Sequence, residues 1–178
     1  ALQANGCESV AILFANSYAN TANEEAAVAL LRNIWHNQHV SASCDILPEI
    51  REFERFSTTA LNAYLQPEVS GYFARLENAL KADGFEGEFM IVQSNGGVMP
   101  FKAAVAGAKT VHTLFSGPAA GAQAAAYLAA EDAKTGLVTL DMGGTSCDIA
   151  FIEGGAPLEV TEGEVARRRL DVPALDLT

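Results

Sequence analysis

Short apolar runs alternate along the chain with longer stretches in which apolar residues recur every three or four positions. Ser9 to Ala15 (SVAILFA) is a compact apolar run, the pattern of a buried strand. Asn23 to Asn37 follows with Ala27, Leu30, Leu31, Ile34 and Trp35 at helical spacing. Asn23 is positioned to cap that helix, and Glu24 and Glu25 suit its positive end. Val40 to Ile46 reads as a second strand. From Pro48 the pattern turns helical to about Lys81, with breaks expected at Ser57-Thr58-Thr59 and at Pro67. Gly84 is a natural C-terminal stop. Glu88 to Gln93 predicts a third strand, Asn95-Gly96-Gly97 a turn, Phe101 to Ala108 a short helix or loop, and Thr110 to Phe115 an extended piece.

The pattern changes at Ser116. Pro118 suits the first turn of a helix, and Ala119 to Ala130 is almost all small residues, so that helix can lie close against another backbone. Gly136 to Leu140 reads as a buried strand and Ile149 to Ile152 as another. Glu153 to Pro157 turns the chain, and Leu158 to Thr161 returns. Strands alternate with helices before Ser116 and hairpins follow Gly136. The fold class is therefore α/β, with mixed sheets and flanking helices.

Composition narrows the function classes. The 178 residues are 49% hydrophobic and 19% charged, which fits a globular chain and excludes a disordered one. Acidic residues outnumber basic ones 22 to 11, a net charge of −11. Such a surface repels phosphate backbones and anionic headgroups, so neither nucleic acid nor a membrane is an expected partner. No apolar run approaches the ~18 residues of a bilayer span. Ala1 to Asn5 lacks a basic-then-apolar leader pattern. Cys7, Cys44 and Cys147 have no zinc-type spacing, which favours a reducing, cytoplasmic setting.

The chemistry concentrates in Val138-Thr139-Leu140-Asp141-Met142-Gly143-Gly144-Thr145-Ser146-Cys147-Asp148-Ile149. A strand delivers a carboxylate, two glycines and two hydroxyls to a tight turn, and a second strand leaves. Gly143 and Gly144 let a phosphate approach the backbone, where successive amides can form an anion nest. Thr145 and Ser146 add hydroxyl donors. A carboxylate meets phosphate favourably only across a cation, so Asp141 is expected to bind Mg²⁺ directly or through water. Asp148, on the other arm, is a second metal candidate. The alternative is a plain hairpin turn in which Asp141 and Thr145 bond the local backbone.

This arrangement resembles the second phosphate loop of the actin, sugar-kinase and heat-shock-chaperone ATPase superfamily, with Ser116 to Ala130 as the inter-lobe helix. Five strings narrow the resemblance: Leu47 to Arg55 (LPEIREFER), Ser57 to Leu65 (STTALNAYL), Gln93 to Gly97 (QSNGG), Ser116 to Gly121 (SGPAAG) and Asp141 to Ser146 (DMGGTS). In this order they are similar to the hydantoinase A/5-oxoprolinase family, which also includes acetone and acetophenone carboxylase subunits. One departure is Cys147, where the family pattern usually has Thr.

The resemblance implies part of an actin-like (ribonuclease H-like) ATPase fold. Residues 1–115 would complete a first lobe, and 116–178 would form the inter-lobe helix and begin a second. It also implies a middle fragment, because family members carry an earlier acidic glycine loop and a later Gly-rich nucleotide loop. The implied cofactors are ATP and Mg²⁺. The implied activity is opening of a cyclic amide or imide by phosphorylation of its carbonyl oxygen, with a ketone carboxylase subunit as the alternative. Asp141 would be the catalytic and metal residue, Gly143, Gly144, Thr145 and Ser146 would hold phosphate, and Asp148 would assist the metal. The expected partners are a cyclic amide or ketone substrate and further subunits, either copies of the chain or a hydantoinase B-type subunit. A non-metabolic actin-like nucleotide switch and a noncatalytic structural remnant are the competing readings.

Other constellations have plainer readings. Arg51, Glu52, Glu54 and Arg55 pair at helical i,i+3 spacing or form a substrate-side cluster. Asn95-Gly96-Gly97 is a hairpin turn or a second phosphate turn. His36, His39 and Cys44 match no strong zinc spacing. His112 with Cys147 would make a thiol nucleophile only if the fold brought them together. Arg167-Arg168-Arg169 suits a solvated strand or subunit contact, and Ser57-Thr58-Thr59 a helix cap.

Overall fold

The computed structural model describes residues 2–105, 109–129, 131, 135–144, 146–165 and 168–177. The fold is mixed α/β. The chain divides into two compact units: Ala1–Met90 with Pro100–Val111 and Glu164–Asp171, and Ile91–Met99 with His112–Gly163 and Val172–Thr178.

The first unit begins with a βαβ element. Strands β1 (Val10–Ile12) and β2 (Val40–Ala42) pair in parallel, Val10 opposite Val40 and Ile12 opposite Ala42. Helix α1 (Ala22–Ile34) makes the crossover that a parallel pair requires. Ile12, Val28, Trp35, Val40 and Ala42 form the core between them. Asn23 lies inside the first turn and does not cap it. Instead Asn20 Oδ1 accepts the Ala22 N–H at 3.1 Å, and Thr21 Oγ1 donates to Glu25 Oε1 at 2.6 Å. The second strand stops at Ala42 because Ser43–Ile46 coils into a short helix, α2.

Helix α3 (Glu52–Ala82) runs 31 residues without the breaks expected at Ser57-Thr58-Thr59 and Pro67. Its buried stripe is largely polar: Arg55, Thr58, Thr59, Asn62, Gln66 and Ser70 are buried along with Ala63 and Phe73. These polar side chains read as helix breakers in isolation because they compete for backbone groups. Here most of them have partners, although Ser70 Oγ has none among the described residues. Thr59 Oγ1 donates to the Arg55 carbonyl at 2.7 Å, and Asn62 Nδ2 donates to Ser41 Oγ at 2.9 Å. Thr58 Oγ1 accepts the Asp171 N–H at 3.1 Å. Gly84 closes the helix at φ +83°, donating its N–H to the Lys81 carbonyl. Helix α4 (Phe101–Val105) follows later in the chain. Thr110–Thr113 is a 3₁₀ turn, not the expected extended piece, because Val111 N–H and Thr110 Oγ1 both donate to Asn62 Oδ1, at 3.0 and 2.8 Å.

The second unit holds the tip of a hairpin between β3 (Met90–Val92) and β4 (Val98–Pro100), then helix α5 (Ser116–Leu128). Strands β5 (Leu137–Met142), β6 (Cys147–Glu153) and β7 (Ala156–Pro157) form one antiparallel sheet. Strands β8 (Glu159–Val165) and β9 (Arg168–Leu175) pair with each other. Ala119 and Ala122 pack on Ala150 and Leu175, and Ala126 on Ile152. The small-residue helix therefore lies against the sheet, as its composition predicts. The preceding strand, however, is not buried on both faces. Val138, Leu140 and Met142 are 59%, 62% and 71% exposed, and Phe151 on β6 is 47% exposed. Among the described residues no helix is long and apolar enough to cross a membrane.

Candidate phosphate and cation site

The acidic glycine turn is the tip of the β5–β6 hairpin. The antiparallel register places Asp141 directly opposite Asp148 and closes with Met142 opposite Cys147. Directly opposed residues share a face. Alternation along β6 puts Asp148 on the same face as Ala150 and Ile152, which pack against α5. Both carboxylates thus stand on the α5 side of the sheet, and Cys147 stands on the other.

Gly121 supplies the room above them. A β-carbon at that position would lie 3.2 Å from Asp141 Oδ2, so the bare backbone of α5 is what the carboxylate rests beside. Asp141 accepts no hydrogen bond from any other described residue. Asp148 accepts one from Ser146 Oγ at 3.3 Å. Like charges directly opposed on one face are destabilising, and a divalent cation relieves that. Mg²⁺ takes one or two protein carboxylates and completes its shell with water and phosphate oxygens, so the pair fits it. No group of three or more His, Cys, Asp or Glu able to hold a metal occurs among the described residues. His36, His39 and Cys44 accordingly form no such site.

The bend itself is exposed at Gly143, Gly144 and Ser146. Thr145, the other hydroxyl assigned to phosphate, lies outside the described residues. Neither glycine has a positive φ. Their role is space: a β-carbon on Gly144 would meet nothing within 4 Å. The Gly143 N–H is already engaged, donating to the Ser146 carbonyl at 3.0 Å. The nest expected from both glycine amides is therefore reduced by one donor.

Several of the other sequence candidates have structural partners. Asn95-Gly96-Gly97 is the β3–β4 turn, with Gln93 donating to the Gly97 carbonyl at 2.8 Å and Gly96 at φ +78°. Gln123 of α5 covers Gly96, where a β-carbon would lie 2.5 Å from Nε2. In the same string Ser94, which the sequence did not single out, is fully buried. Its Oγ donates to the His112 carbonyl at 2.8 Å and accepts the Phe115 N–H at 3.1 Å, fixing the approach to α5. Arg55 is fully buried and ion-pairs with Glu52, as the i,i+3 spacing predicts. It also donates to the carbonyls of Glu49 at 2.7 Å and Phe14 at 2.9 Å, while Glu52 Oε1 accepts the Asn16 N–H at 2.9 Å. The pair thus clamps the loop after β1. Arg167 lies outside the described residues, and Arg169 is exposed on β9.

Glu24 is a second buried charge, and sequence assigns it only to the helix end. Its Oε1 accepts from Phe14 N–H at 2.7 Å and Ser43 Oγ at 2.6 Å, and its Oε2 accepts from Cys44 N–H at 2.8 Å. Burial alone would raise its pKa, but the bonds from Ser43, Phe14 and Cys44 outweigh that and hold it below its ordinary value. The same surroundings push the Cys44 thiol up to about 12, through burial first and then its contact with Glu24 and the charge of Asp45.

Comparison with known proteins joins these observations. Residues 55–178 match the family model described as hydantoinase/oxoprolinase. An uncharacterised protein of Methanocaldococcus jannaschii is 40% identical over 158 residues, covering 89% of this chain and 23% of its own length. The caprolactamase alpha subunit of Pseudomonas jessenii is 34% identical over 170 residues, covering 96% of this chain and 24% of its own. A nucleotide-free structure of acetone carboxylase superposes with a TM-score of 0.84 at 28% identity, covering 99% of this chain and 25% of its own. The crystal structure of the Pseudomonas jessenii caprolactamase, described as ATP-dependent, gives 0.84 at 30% identity with the same coverage. The protein has an α/β fold shared with ATP-dependent enzymes. The chain belongs to the hydantoinase/oxoprolinase family, and it spans about a quarter of the length of these relatives.

Proposed function

We propose that the chain carries one jaw of an Mg-ATP site in an enzyme that opens cyclic amides by phosphorylating their carbonyl oxygen. The observation that carries this is that Asp141, beside the bare backbone of Gly121, is directly opposed by Asp148 on one face of the hairpin. In this reading residues 1–115 complete a first actin-like lobe, and 116–178 supply the inter-lobe helix and the start of a second. Asp141 and Asp148 would hold Mg²⁺, which when bound neutralises phosphate charge. Gly144 leaves the approach open, and the hydroxyls of Thr145 and Ser146 would serve phosphate oxygens, Ser146 by turning its Oγ from Asp148. Phosphoryl transfer needs positioning and charge neutralisation more than a protein nucleophile, and this turn offers both. Phosphorylating the amide oxygen makes the ring carbon electrophilic enough for water.

The caprolactamase relative, at 34% identity, supports an amide substrate. Ketone carboxylation is the second reading, supported by the equal TM-score of the acetone carboxylase structure. The naming of the caprolactamase relative as an alpha subunit supports assembly with other subunits, such as a hydantoinase B-type partner. The unpaired Cys7, Cys44 and Cys147 support a reducing, cytoplasmic setting.

The test is Asp141→Asn in the longer protein that contains this segment. Lactam-stimulated ATP hydrolysis is expected to fall by about two orders of magnitude, the scale of losing one charge-stabilising group. Unchanged turnover would remove Asp141 from the site. Stimulation by acetone but by no lactam would select the carboxylase.

A further inference from the structure

We propose that a cavity at the C-terminal end of α3 binds an apolar α-amino acid in its zwitterionic form. The cavity measures about 300 Å³ and is built wholly from residues of the first unit. That volume is at the small end for ligand sites, enough for one amino acid and too little for a nucleotide. Its apolar wall is Leu80, Phe85, Phe89 and Phe101. Phe89 and Phe101 are in ring contact at 4.9 Å, and Phe101 is backed by Phe73 at 5.7 Å, so that wall is fixed. Phe85 lies over Gly87, where a β-carbon would be 2.6 Å from its Cζ, and the ring remains 44% exposed. Glycine at position 87 is thus what lets the Phe85 ring fold down beside the opening.

The charges on the lining decide the ligand. Lys81 is matched by Glu77 at 2.7 Å and contributes no net sign. Lys102 and Glu88 also line the cavity, and neither side chain bonds to another described residue. One cation and one anion remain beside an aromatic wall. A simple carboxylate would meet Glu88 and a simple amine would meet Lys102. A molecule with both groups on one carbon and an apolar side chain satisfies all three elements. This site is independent of the nucleotide reading, since it shares no residue with the β5–β6 turn.

The probe is L-phenylalanine, titrated into the 178-residue chain and followed by amide chemical shifts. Saturable shifts around Leu80, Phe89 and Phe101 are expected. Lys102→Met and Glu88→Gln change exposed side chains, and each is expected to weaken binding about tenfold, the effect of losing one charge-assisted contact. On the unaltered chain, 3-phenylpropanoate, which lacks the amine, and phenethylamine, which lacks the carboxylate, should each bind about tenfold more weakly. No saturable shift at millimolar phenylalanine would overturn the site. Equal binding of either half-ligand would overturn the zwitterion.

Discussion

The Oδ2 atom of Asp141 lies 3.2 Å from the point where a β-carbon on Gly121 would sit. That separation is tighter than ordinary van der Waals contact, so any larger residue at position 121 must move the carboxylate. Gly121→Ala should therefore separate stability from function. Alanine favours the helix by about 0.5–1 kcal/mol over glycine, offsetting the crowding. The thermal midpoint should stay the same or rise, while Mg²⁺ affinity in the longer protein falls. Gly121→Val should lower both. An alanine variant with unaltered Mg²⁺ affinity would show that the carboxylate does not need its present position.

Asp141 and Asp148 are directly opposed across the hairpin, a position where like charges destabilise a strand pair. Neutralising one should relieve about 0.2–1 kcal/mol of cross-strand strain. Asp148→Asn is thus expected to raise the denaturation midpoint slightly in metal-free buffer and to remove any stabilisation by added Mg²⁺. Denaturant melts with and without Mg²⁺ measure both effects. A variant less stable than the parent in metal-free buffer would show that the two acids are structural.

Glu24 makes the first unit acid-sensitive. Its folded pKa is below the ordinary value of 4.5, so its stabilisation is present above that value and is lost as pH falls through the folded pKa. Stability should decline below about pH 4.5, and Glu24→Gln should flatten that limb. The variant should also be less stable at pH 7 by about 1–3 kcal/mol, because glutamine turns a donor toward groups that already donate. Denaturant midpoints at stepped pH values test both outcomes.

The cysteines should react unequally. Cys147 is exposed, while Cys44 is partly covered and held near pKa 12. Since the thiolate is the reactive form, iodoacetamide at neutral pH should modify Cys147 well before Cys44. Peptide mass mapping over time gives the order. Prior labelling of Cys44 would contradict the environment described for Glu24.

Periodicity carried much of the architecture. Apolar spacing located α1, and the run of small residues located α5, because both elements bury one apolar face. Helix α3 was harder to read. Its buried stripe of Thr58, Thr59, Asn62 and Gln66 is polar, and only tertiary partners such as Ser41 and Asp171 make that acceptable. The acidic glycine turn was legible as a tight bend between two strands, since Gly143 and Gly144 interrupt the apolar runs on either side. Its register was not legible: nothing local states that Asp141 would oppose Asp148. Ser94 and Glu24 were missed because a lone serine or a helix-end glutamate carries no signal until distant backbone amides are known.

The β5–β6 hairpin has two unlike sides. Opposite the two acids, Val138, Leu140, Met142 and Phe151 stand out toward water. A greasy strip of this kind sets the handling properties of the molecule, because strands that present such side chains adhere to one another as concentration rises. The 178-residue polypeptide should therefore be prepared dilute. Met142→Lys, on the side away from the acids, is the replacement best placed to keep it in solution without touching its chemistry.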